Sequence, residues 1–235
     1  MKKITDWRLT TLFPKHCAYC DKFIFADEMM CDDCKKNLPR INGEICTKCG
    51  REKKICTCKK SSNYYTAISA PFYFEGNLRK GIHRYKFRKS KTGAEAFAYE
   101  MVKTVNKEFA DVKFDYITEV PISKNSLLKR GYNQCSVLAE IISKRTGIEY
   151  KPDVLKKIYE TDNQHGMNYY MRRGNLAGVF DCDNPIDVKD KTILLCDDIS
   201  TSGETLNECA KMLWLYDAKA VYCITTALTK KSGDK

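Results

Sequence analysis

TILLCDDISTSGET, residues 192–205, is the stretch that decides the fold of this chain. Its apolar run, Ile193–Cys196, is short and continuous, which predicts a strand buried on both faces of a parallel sheet. Apolar residues at helical spacing follow, and they predict a helix from about Glu204 to Tyr216. A buried strand, a short loop and a helix in this order indicate an α/β fold.

The residues between this strand and this helix suit a sugar phosphate. Small side chains let backbone N–H groups close around an anion, and the start of a helix adds its dipole and unpaired donors. Thr201, Ser202 and Thr205 can add hydroxyl hydrogen bonds to a phosphate. Asp197 and Asp198 precede the loop and can accept hydrogen bonds from sugar hydroxyls, directly or through Mg²⁺. The alternative is an ordinary strand, turn and helix with a hydroxyl-rich cap.

The same stretch resembles the signature of type I phosphoribosyltransferases, which consists of an apolar strand, an acidic pair and a T-x-G-x-T loop. The resemblance implies the fold of that family, a mostly parallel sheet flanked by helices. It also implies that Asp197 and Asp198 act in catalysis by holding the ribose hydroxyls of phosphoribosyl pyrophosphate (PRPP), bound with Mg²⁺. The loop that would bind the 5-phosphate of PRPP consists of Ser200, Thr201, Ser202, Gly203, Glu204 and Thr205.

Length and charge limit the classes of protein to which this chain can belong. At 235 residues it can form one sizeable α/β domain with a small appendage. Its net charge of +11, from 41 basic and 30 acidic residues, predicts anionic partners, either phosphorylated metabolites or nucleic acid. No stretch approaches the apolar length of a membrane span, and the N-terminus is too polar for a signal peptide, so we expect a cytoplasmic location.

Cysteines cluster near the N-terminus. Eight of the thirteen form close pairs, which are Cys17 and Cys20, Cys31 and Cys34, Cys46 and Cys49, and Cys56 and Cys58. Two such pairs complete a tetrahedral thiolate site for Zn²⁺, so we expect one or two structural zinc ions. The pairs can combine consecutively or in a crossed arrangement. A disulfide-bonded knot and an iron–sulfur cluster are the alternatives, and a reducing compartment disfavours the knot.

A polar linker at Lys59–Asn63 divides the chain into two predicted domains. Residues 1–62 form the zinc ribbon, and residues 63–235 form a phosphoribosyltransferase-like domain. The second domain is predicted to contain strands at 64–74, 114–120 and 220–225 and helices at 93–109 and 134–146.

A loop with three cationic side chains is predicted after the second of these strands. Lys124, Lys129 and Arg130 lie at the carboxyl end of a strand, where their charges can face an anion. In type I phosphoribosyltransferases the corresponding loop holds the pyrophosphate of PRPP, so the resemblance implies a binding role for Ser123, Lys124 and Arg130. Cys135 begins the next helix, where its thiolate could be favoured.

Further motifs narrow the resemblance to the ComF family of competence-associated proteins. They are LFP-x-x-C at 12–17, RGYNQ at 130–134, and a T-x-x-Q…R-x-x-N-x-x-x-x-F pattern at Thr161, Gln164, Arg172, Asn175 and Phe180. Members of this family join an N-terminal zinc ribbon to a phosphoribosyltransferase-like domain. The resemblance covers residues 12–228 and implies uptake or handling of single-stranded DNA, with other competence or DNA-uptake proteins as partners. His165–Met167 departs from the more apolar pattern of the family, so the resemblance names no acceptor.

A basic stretch at residues 79–91 is the candidate nucleic-acid site. Apolar residues at helical spacing give it an inward face, so its basic side is either merely solvated or binds phosphates. The residues that we expect to contact single-stranded DNA are Arg84, Lys86, Arg88 and Lys89. Tyr85 and Phe87 lie between them and are predicted to stack on bases.

Three functions are compatible with the sequence. The first is transfer, in which the Mg²⁺–pyrophosphate group of PRPP leaves and an acceptor attacks C1 of the ribose. The second is nucleic-acid handling by a protein that uses PRPP as a ligand or regulator. The third is an interaction module with a vestigial pocket, which the intact acidic pair disfavours. We expect a PRPP-binding protein of the ComF type; the alternative is a phosphoribosyltransferase acting on a base or nucleotide-pathway acceptor unrelated to DNA uptake.

Overall fold

The computed structural model describes residues 15–25, 28–58, 63–88, 91–158 and 179–230. The cysteine-rich part contains β1 (Lys15–His16), β2 (Phe23–Ile24), α1 (Asp32–Asn37) and a 3₁₀ turn at Lys53–Ile55. The strands that follow are β3 (Ala67–Ser69), β4 (Phe72–Tyr73), β5 (Tyr116–Glu119), β6 (Leu155–Lys157), β7 (Phe180–Cys182), β8 (Thr192–Ser200) and β9 (Ala220–Leu228). The helices that follow are α2 (Gly76–Arg88), α3 (Lys91–Glu108), α4 (Lys124–Arg130), α5 (Gln134–Thr146) and α6 (Glu204–Leu215), with a 3₁₀ turn at Pro185–Asp187.

A five-stranded parallel sheet forms the centre of the structure. Its strand order is β3-β9-β8-β5, and β4 extends the edge by pairing with a later part of β9. The strand predicted from the apolar run is β8, which pairs with β9 on one side and β5 on the other. The predicted α/β fold with a mostly parallel sheet is therefore confirmed. None of the helices in the described ranges is both long and apolar enough to cross a bilayer.

The apolar run of β8 contributes to two hydrophobic clusters. Leu194 and Cys196 pack in the cluster that includes residues of α2, α3 and α5, while Ile193 and Leu195 pack in the cluster that includes residues of α6. All four side chains are fully buried. The run is continuous rather than alternating because helices cover both faces of the sheet.

The cysteine-rich part shares the first of these clusters. The ring of Tyr19 contacts those of Phe72 and Phe97, with centroids 6.0 and 5.4 Å apart. Gly81 of α2 packs so closely on this part that a Cβ atom there would lie 2.5 Å from the carbonyl oxygen of Ala18. The division at residue 62, drawn from the sequence, therefore separates two segments that are packed around one core.

The segment predicted as a loop between β5 and α5 contains an additional helix, α4. Ser123 caps it by accepting a hydrogen bond from the Ser126 N–H, and Gly131 ends it in the left-handed conformation at φ 72°. The prediction of a continuous loop was wrong because the two caps enclose a helix too short to show a periodic apolar face. The next helix, α5, has the predicted bounds, 134–146, and is capped by the Asn133 side chain.

The strand predicted at 64–74 is divided in two. β3 and β4 both pair with β9, at Ala67–Ser69 and Phe72–Tyr73, and Pro71 lies between them. Proline has no N–H to give to a sheet ladder, which accounts for the interruption.

Candidate functional site

The acidic pair lies within β8, close to its carboxyl end. The strand continues to Ser200, so Asp197 and Asp198 are buried, with 8% and 5% of their surface exposed. Asp198 Oδ2 accepts from Gln134 Nε2 at 2.9 Å and is 2.8 Å from Lys86 Nζ. Asp197 Oδ1 accepts from the Asp198 N–H at 2.7 Å and from Cys135 Sγ at 3.4 Å. Both carboxylates are therefore satisfied by groups from β8, α2 and α5.

The surroundings of the pair shift the pKa values of its members. Burial, followed by the neighbouring charge of Asp198, raises the pKa of Asp197 to about 7. Burial and the charges of both aspartates raise the pKa of the Cys135 thiol well above its usual range. At Cys135 burial and these charges outweigh the start of α5, so the thiol is favoured over the thiolate. Asp197 and Asp198 are the oxygen donors here that suit Mg²⁺, whereas a protonated thiol does not.

A cavity of about 580 Å³ opens beside the acidic pair. The residues from the sequence analysis that line it are Asp197, Asp198, Glu204, Thr205, Ser123 and Arg130. They come from the end of β8, the start of α6 and the segment around α4. Lys124, the first residue of α4, is not among the lining residues.

The phosphate loop, which we define as Ser200–Thr205, is turned by a glycine. Gly203 has φ 87°, a left-handed conformation that L side chains rarely adopt, and it immediately precedes α6. A second cavity, of about 590 Å³, is lined by Ser200, Thr201, Ser202 and Gly203. It lies on the side of the loop that faces the second cysteine cluster, which we define as Cys46, Cys49, Cys56 and Cys58. The loop thus lies between two cavities, and its last two residues face the acidic pair.

Arg51, which the sequence analysis did not identify, fastens the phosphate loop. Its side chain is buried, donates from Nη2 to the carbonyl oxygen of Thr201 at 3.1 Å, and donates from Nε to that of Thr229 at 2.8 Å. Thr229 Oγ1 also donates to the Thr201 carbonyl oxygen, at 3.1 Å. In the sequence Arg51 directly follows Cys46-x-x-Cys49-Gly, which marks it as part of the cysteine-rich segment. This position does not reveal that its side chain binds the carbonyl groups of Thr201 and Thr229.

Of the four basic residues predicted to bind nucleic acid, the three that the structure describes do not form one exposed face. Lys86 contacts Asp198, and its side chain is 20% exposed. Arg84 and Arg88 lie 3.5 and 3.8 Å from carboxylate oxygens of Asp21. Asp21 follows Cys20 of the first cysteine cluster, which we define as Cys17, Cys20, Cys31 and Cys34. Lys89 lies outside the described residues, as do Thr161, Gln164, His165–Met167, Arg172 and Asn175.

One of the two predicted stacking residues is buried. Tyr85 has 1% of its surface exposed, and its hydroxyl donates to the Gln134 carbonyl oxygen at 2.6 Å. The prediction that Tyr85 stacks on bases is therefore wrong, because α2 turns this ring into the core. Phe87 is 59% exposed and lies under the Arg130 guanidinium, 5.6 Å from ring centroid to Cζ.

The N-terminal cysteines form two groups of four in consecutive order. The first group is Cys17, Cys20, Cys31 and Cys34, the second is Cys46, Cys49, Cys56 and Cys58, and within each the Sγ atoms lie within 4.8 Å of one another. A tetrahedral Zn²⁺ with Zn–S bonds of about 2.3 Å needs Sγ atoms about 3.8 Å apart, so both groups fit zinc. All eight are free thiols rather than disulfides. Four thiolates leave no open coordination position, which makes these sites structural.

Comparison with known proteins agrees with this arrangement. A family model described as a double zinc ribbon domain matches residues 8–64, and one described as a phosphoribosyl transferase domain matches residues 132–235. Competence protein ComFC of Bacillus subtilis (strain 168) is 26% identical over 197 residues, 80% of this chain and 78% of the relative. DNA utilization protein YhgH of Escherichia coli (strain K12) is 24% identical over 217 residues, 90% of each chain.

A third relative extends the same result. Competence protein F of Haemophilus influenzae is 24% identical over 216 residues, which cover 87% of this chain and 93% of the relative. The resemblance inferred from the motifs is confirmed by these matches over most of the chain. This chain is therefore similar over most of its length to the ComF competence proteins, and it matches a double zinc ribbon domain followed by a phosphoribosyl transferase domain.

Proposed function

We propose that this chain binds PRPP with Mg²⁺ in the cavity beside the acidic pair. One observation carries the proposal: the acidic pair, the start of α6 and Arg130 line the same cavity of about 580 Å³. PRPP carries a diol, a 5-phosphate and a pyrophosphate at different positions of its ribose. The cavity offers carboxylates, loop N–H groups at a helix start and a guanidinium, which recognise these three groups respectively.

Each group would have a separate role in binding. Asp197 and Asp198 accept hydrogen bonds from the ribose hydroxyls, and the N–H groups of the phosphate loop bind the 5-phosphate. Arg130 binds the pyrophosphate, with Ser123 beside it. Mg²⁺, held with PRPP at the acidic pair, supplies charge that makes pyrophosphate a better leaving group.

The test of binding is titration calorimetry of PRPP with Mg²⁺ on wild type and on Asp197→Asn/Asp198→Asn. This double variant keeps the shape of the pair and removes its charge. We expect PRPP affinity to be lost without a fall in melting temperature. Asp111→Asn/Asp190→Asn is the matched control, because it removes two exposed carboxylates outside the cavity. Equal PRPP affinity in wild type and in the Asp197/Asp198 variant would refute the proposal.

Whether bound PRPP is a substrate is tested by pyrophosphate release. Wild type is incubated with PRPP, Mg²⁺ and one candidate acceptor at a time, among them nucleobases and oligodeoxynucleotides. Release that requires both an acceptor and Asp197 and Asp198 identifies a transferase. Binding without acceptor-dependent release identifies PRPP as a ligand or regulator.

A second candidate function, contact with single-stranded DNA, is favoured by an exposed aromatic pair. Trp214 and Tyr64 are 56% and 41% exposed, and their ring centroids lie 5.7 Å apart. Lys211 Nζ lies 5.9 Å from the Tyr64 ring. Two exposed rings beside a cation suit stacking on successive bases, and stacking contributes about 1–3 kcal/mol per base. The relatives named for competence and DNA utilization give the same context, and other DNA-uptake proteins belong to this proposal as partners.

The aromatic pair is tested with a fluorescent oligothymidine in an anisotropy titration at several salt concentrations. We expect Trp214→Ala to weaken binding by about tenfold, because one stacking surface is lost. Phe25→Ala is the matched control, since Phe25 is 84% exposed but lies in the cysteine-rich part. Equal effects of the two substitutions would place the binding surface elsewhere, and no binding by wild type at low salt would remove this function.

A further inference from the structure

Lys86 occupies an unusual place for a lysine on a basic helix. Its neighbours in sequence, Arg84 and Arg88, lie near Asp21 on the side of the first cysteine cluster, whereas Lys86 Nζ lies 2.8 Å from Asp198 Oδ2. The Asp198 side chain is 7% exposed. A buried ion pair loses hydration and side-chain freedom and is weak evidence of stabilisation by itself. Its partner Asp198 lines the candidate ligand cavity, so the pair lies where it can respond to a ligand.

The end of α2 is fixed against the segment that carries Arg130. The Tyr132 hydroxyl donates to the carbonyl oxygen of Tyr85, and the Arg130 guanidinium lies over the ring of Phe87. Tyr85 and Phe87 are the residues on either side of Lys86. The helix on either side of Lys86 is thus joined to the segment that carries Arg130, while the ammonium group itself lies beside the acidic pair.

Asp198 remains hydrogen-bonded if Lys86 moves. Gln134 Nε2 donates to the same Oδ2 atom at 2.9 Å, and within the part of the chain that the structure describes Gln134 Oε1 is a buried oxygen without a hydrogen-bond partner. Ribose hydroxyls could donate to Asp198 while Gln134 keeps its bond to this carboxylate. Lys86 can therefore exchange Asp198 for an anionic group of the ligand without leaving the carboxylate unsatisfied.

We propose that Lys86 pairs with Asp198 in the free protein and contacts the pyrophosphate group of PRPP in the complex, an inference that rests on PRPP binding in this cavity. Two adjacent carboxylates repel an anionic ligand, and one mobile ammonium offsets this repulsion before binding and attracts the pyrophosphate after it. Lys86 thereby belongs to the sugar-phosphate site and not to a nucleic-acid surface.

The test compares two ligands that differ in the pyrophosphate. PRPP and ribose 5-phosphate are titrated with Mg²⁺ into wild type, Lys86→Gln and Lys80→Gln, where Lys80 is an exposed lysine of the same helix. We expect Lys86→Gln to lower the affinity for PRPP by about tenfold, because a charge-assisted hydrogen bond is lost. Its effect on the affinity for ribose 5-phosphate should be much smaller. Lys80→Gln should bind both ligands as wild type does, and Lys86→Arg should retain most of the PRPP affinity.

The outcomes separate this inference from the proposed function. If wild type binds PRPP and Lys86→Gln binds it equally well, Lys86 has no such role, although the proposed function stands. If Lys86→Gln lowers the affinities for both ligands equally, Lys86 only positions Asp198, and the contact with pyrophosphate is refuted. If wild type does not bind PRPP, the proposed function fails first.

A measurement on wild type covers the case in which Lys86→Gln does not fold. Amine acetylation is followed by mass spectrometry in the free protein and with saturating PRPP or ribose 5-phosphate, each with Mg²⁺. We expect PRPP to protect Lys86 more than ribose 5-phosphate does, while Lys80 reacts equally in all three samples. Equal protection of Lys86 by the two ligands would overturn the inference.

Discussion

Arg51 donates a hydrogen bond to the carbonyl oxygen of Thr201, 3.1 Å away, and so joins the second cysteine cluster to the phosphate loop. A second bond from the same guanidinium, to Thr229, fixes the strand end beside that loop. A zinc-stabilised segment therefore holds two backbone carbonyls at the edge of the sheet. The phosphate loop is thus held by a side chain that lies 150 residues earlier in the chain.

Substitution of Arg51 should loosen the phosphate loop. Arg51→Met removes both guanidinium hydrogen bonds, so the Thr229 carbonyl oxygen loses its donor and that of Thr201 keeps the bond from Thr229 Oγ1. We expect this change to lower the free energy of unfolding by about 2–3 kcal/mol. Hydrogen exchange at residues 201–205 should accelerate, and PRPP affinity should fall. Lys53→Met is the control, because Lys53 lies in the same cluster but is exposed and paired with Glu44. Unchanged exchange at 201–205 in Arg51→Met would show that the loop holds its own conformation.

Zinc content should be close to two ions per chain. Each group of four cysteines fits one tetrahedral site, so Cys20→Ser and Cys49→Ser should each lose one zinc. Metal analysis of the purified variants measures this directly. Because Arg51 lies in the second cluster, we expect Cys49→Ser to accelerate exchange in the phosphate loop more than Cys20→Ser does. A single zinc in wild type would contradict the double site.

Stability should depend on pH through Asp197. The pKa of its carboxyl is about 7 in the folded chain, against 3.8 for an ordinary aspartate. Between these values the folded state keeps a proton that the unfolded state has lost, so the free energy of unfolding falls as pH rises from about 4 to about 7. Asp197→Asn removes this titration. Between pH 5.5 and 8 its free energy of unfolding should therefore rise relative to that of wild type by on the order of 2 kcal/mol.

Thermal unfolding of wild type and Asp197→Asn across this pH range tests the shift. Asp111→Asn, in which an exposed carboxylate is removed, should follow wild type at every pH. If the curves for Asp197→Asn and wild type run parallel, Asp197 ionises in the folded state as it does in the unfolded chain.

Gly81 should not tolerate a side chain. A Cβ atom would lie 2.5 Å from the Ala18 carbonyl oxygen and 3.0 Å from the Tyr19 Cα, and neither backbone atom can move aside by changing rotamer. We expect Gly81→Ala to lower the free energy of unfolding by about 1–3 kcal/mol, the usual cost of overpacking. In an exposed helix the same change is stabilising by about 1 kcal/mol, so the sign of the result tests the contact. Calorimetry measures the stability of wild type and Gly81→Ala. Lys80→Ala, in the same helical turn, is the control for helix propensity.

The central strand, the phosphate loop and α6 could be predicted because their signals are local. A continuous apolar run, two aspartates and a small-residue loop occur within residues 192–205, and the spacing of cysteines is equally local. The short helix α4 could not be predicted in this way, because its caps, Ser123 and Gly131, enclose too few residues for an apolar period.

The contacts of Lys86 and Arg51 could not be predicted from the sequence because each joins residues far apart in the chain. A lysine in a basic stretch has the same local pattern whether it faces water or a buried carboxylate. The charge run at 79–91 therefore favoured a nucleic-acid surface, whereas the fold directs Lys86 to Asp198. Arg51 belongs to no recognised spacing at all, and only the packing of the second cluster on β9 brings it to Thr201.

The contact of Tyr19 with Phe72 and Phe97 has a consequence for how the protein survives in a cell. A chain that begins at residue 63 would leave these two rings uncovered, so we expect it to aggregate or to be degraded instead of persisting as a smaller protein. Metal starvation should act in the same way, because the segment that carries Tyr19 cannot hold its shape without its thiolate-bound ion. Scarcity of zinc would then lower the total amount of the protein, and the molecules that remain would be those with zinc bound and both segments folded.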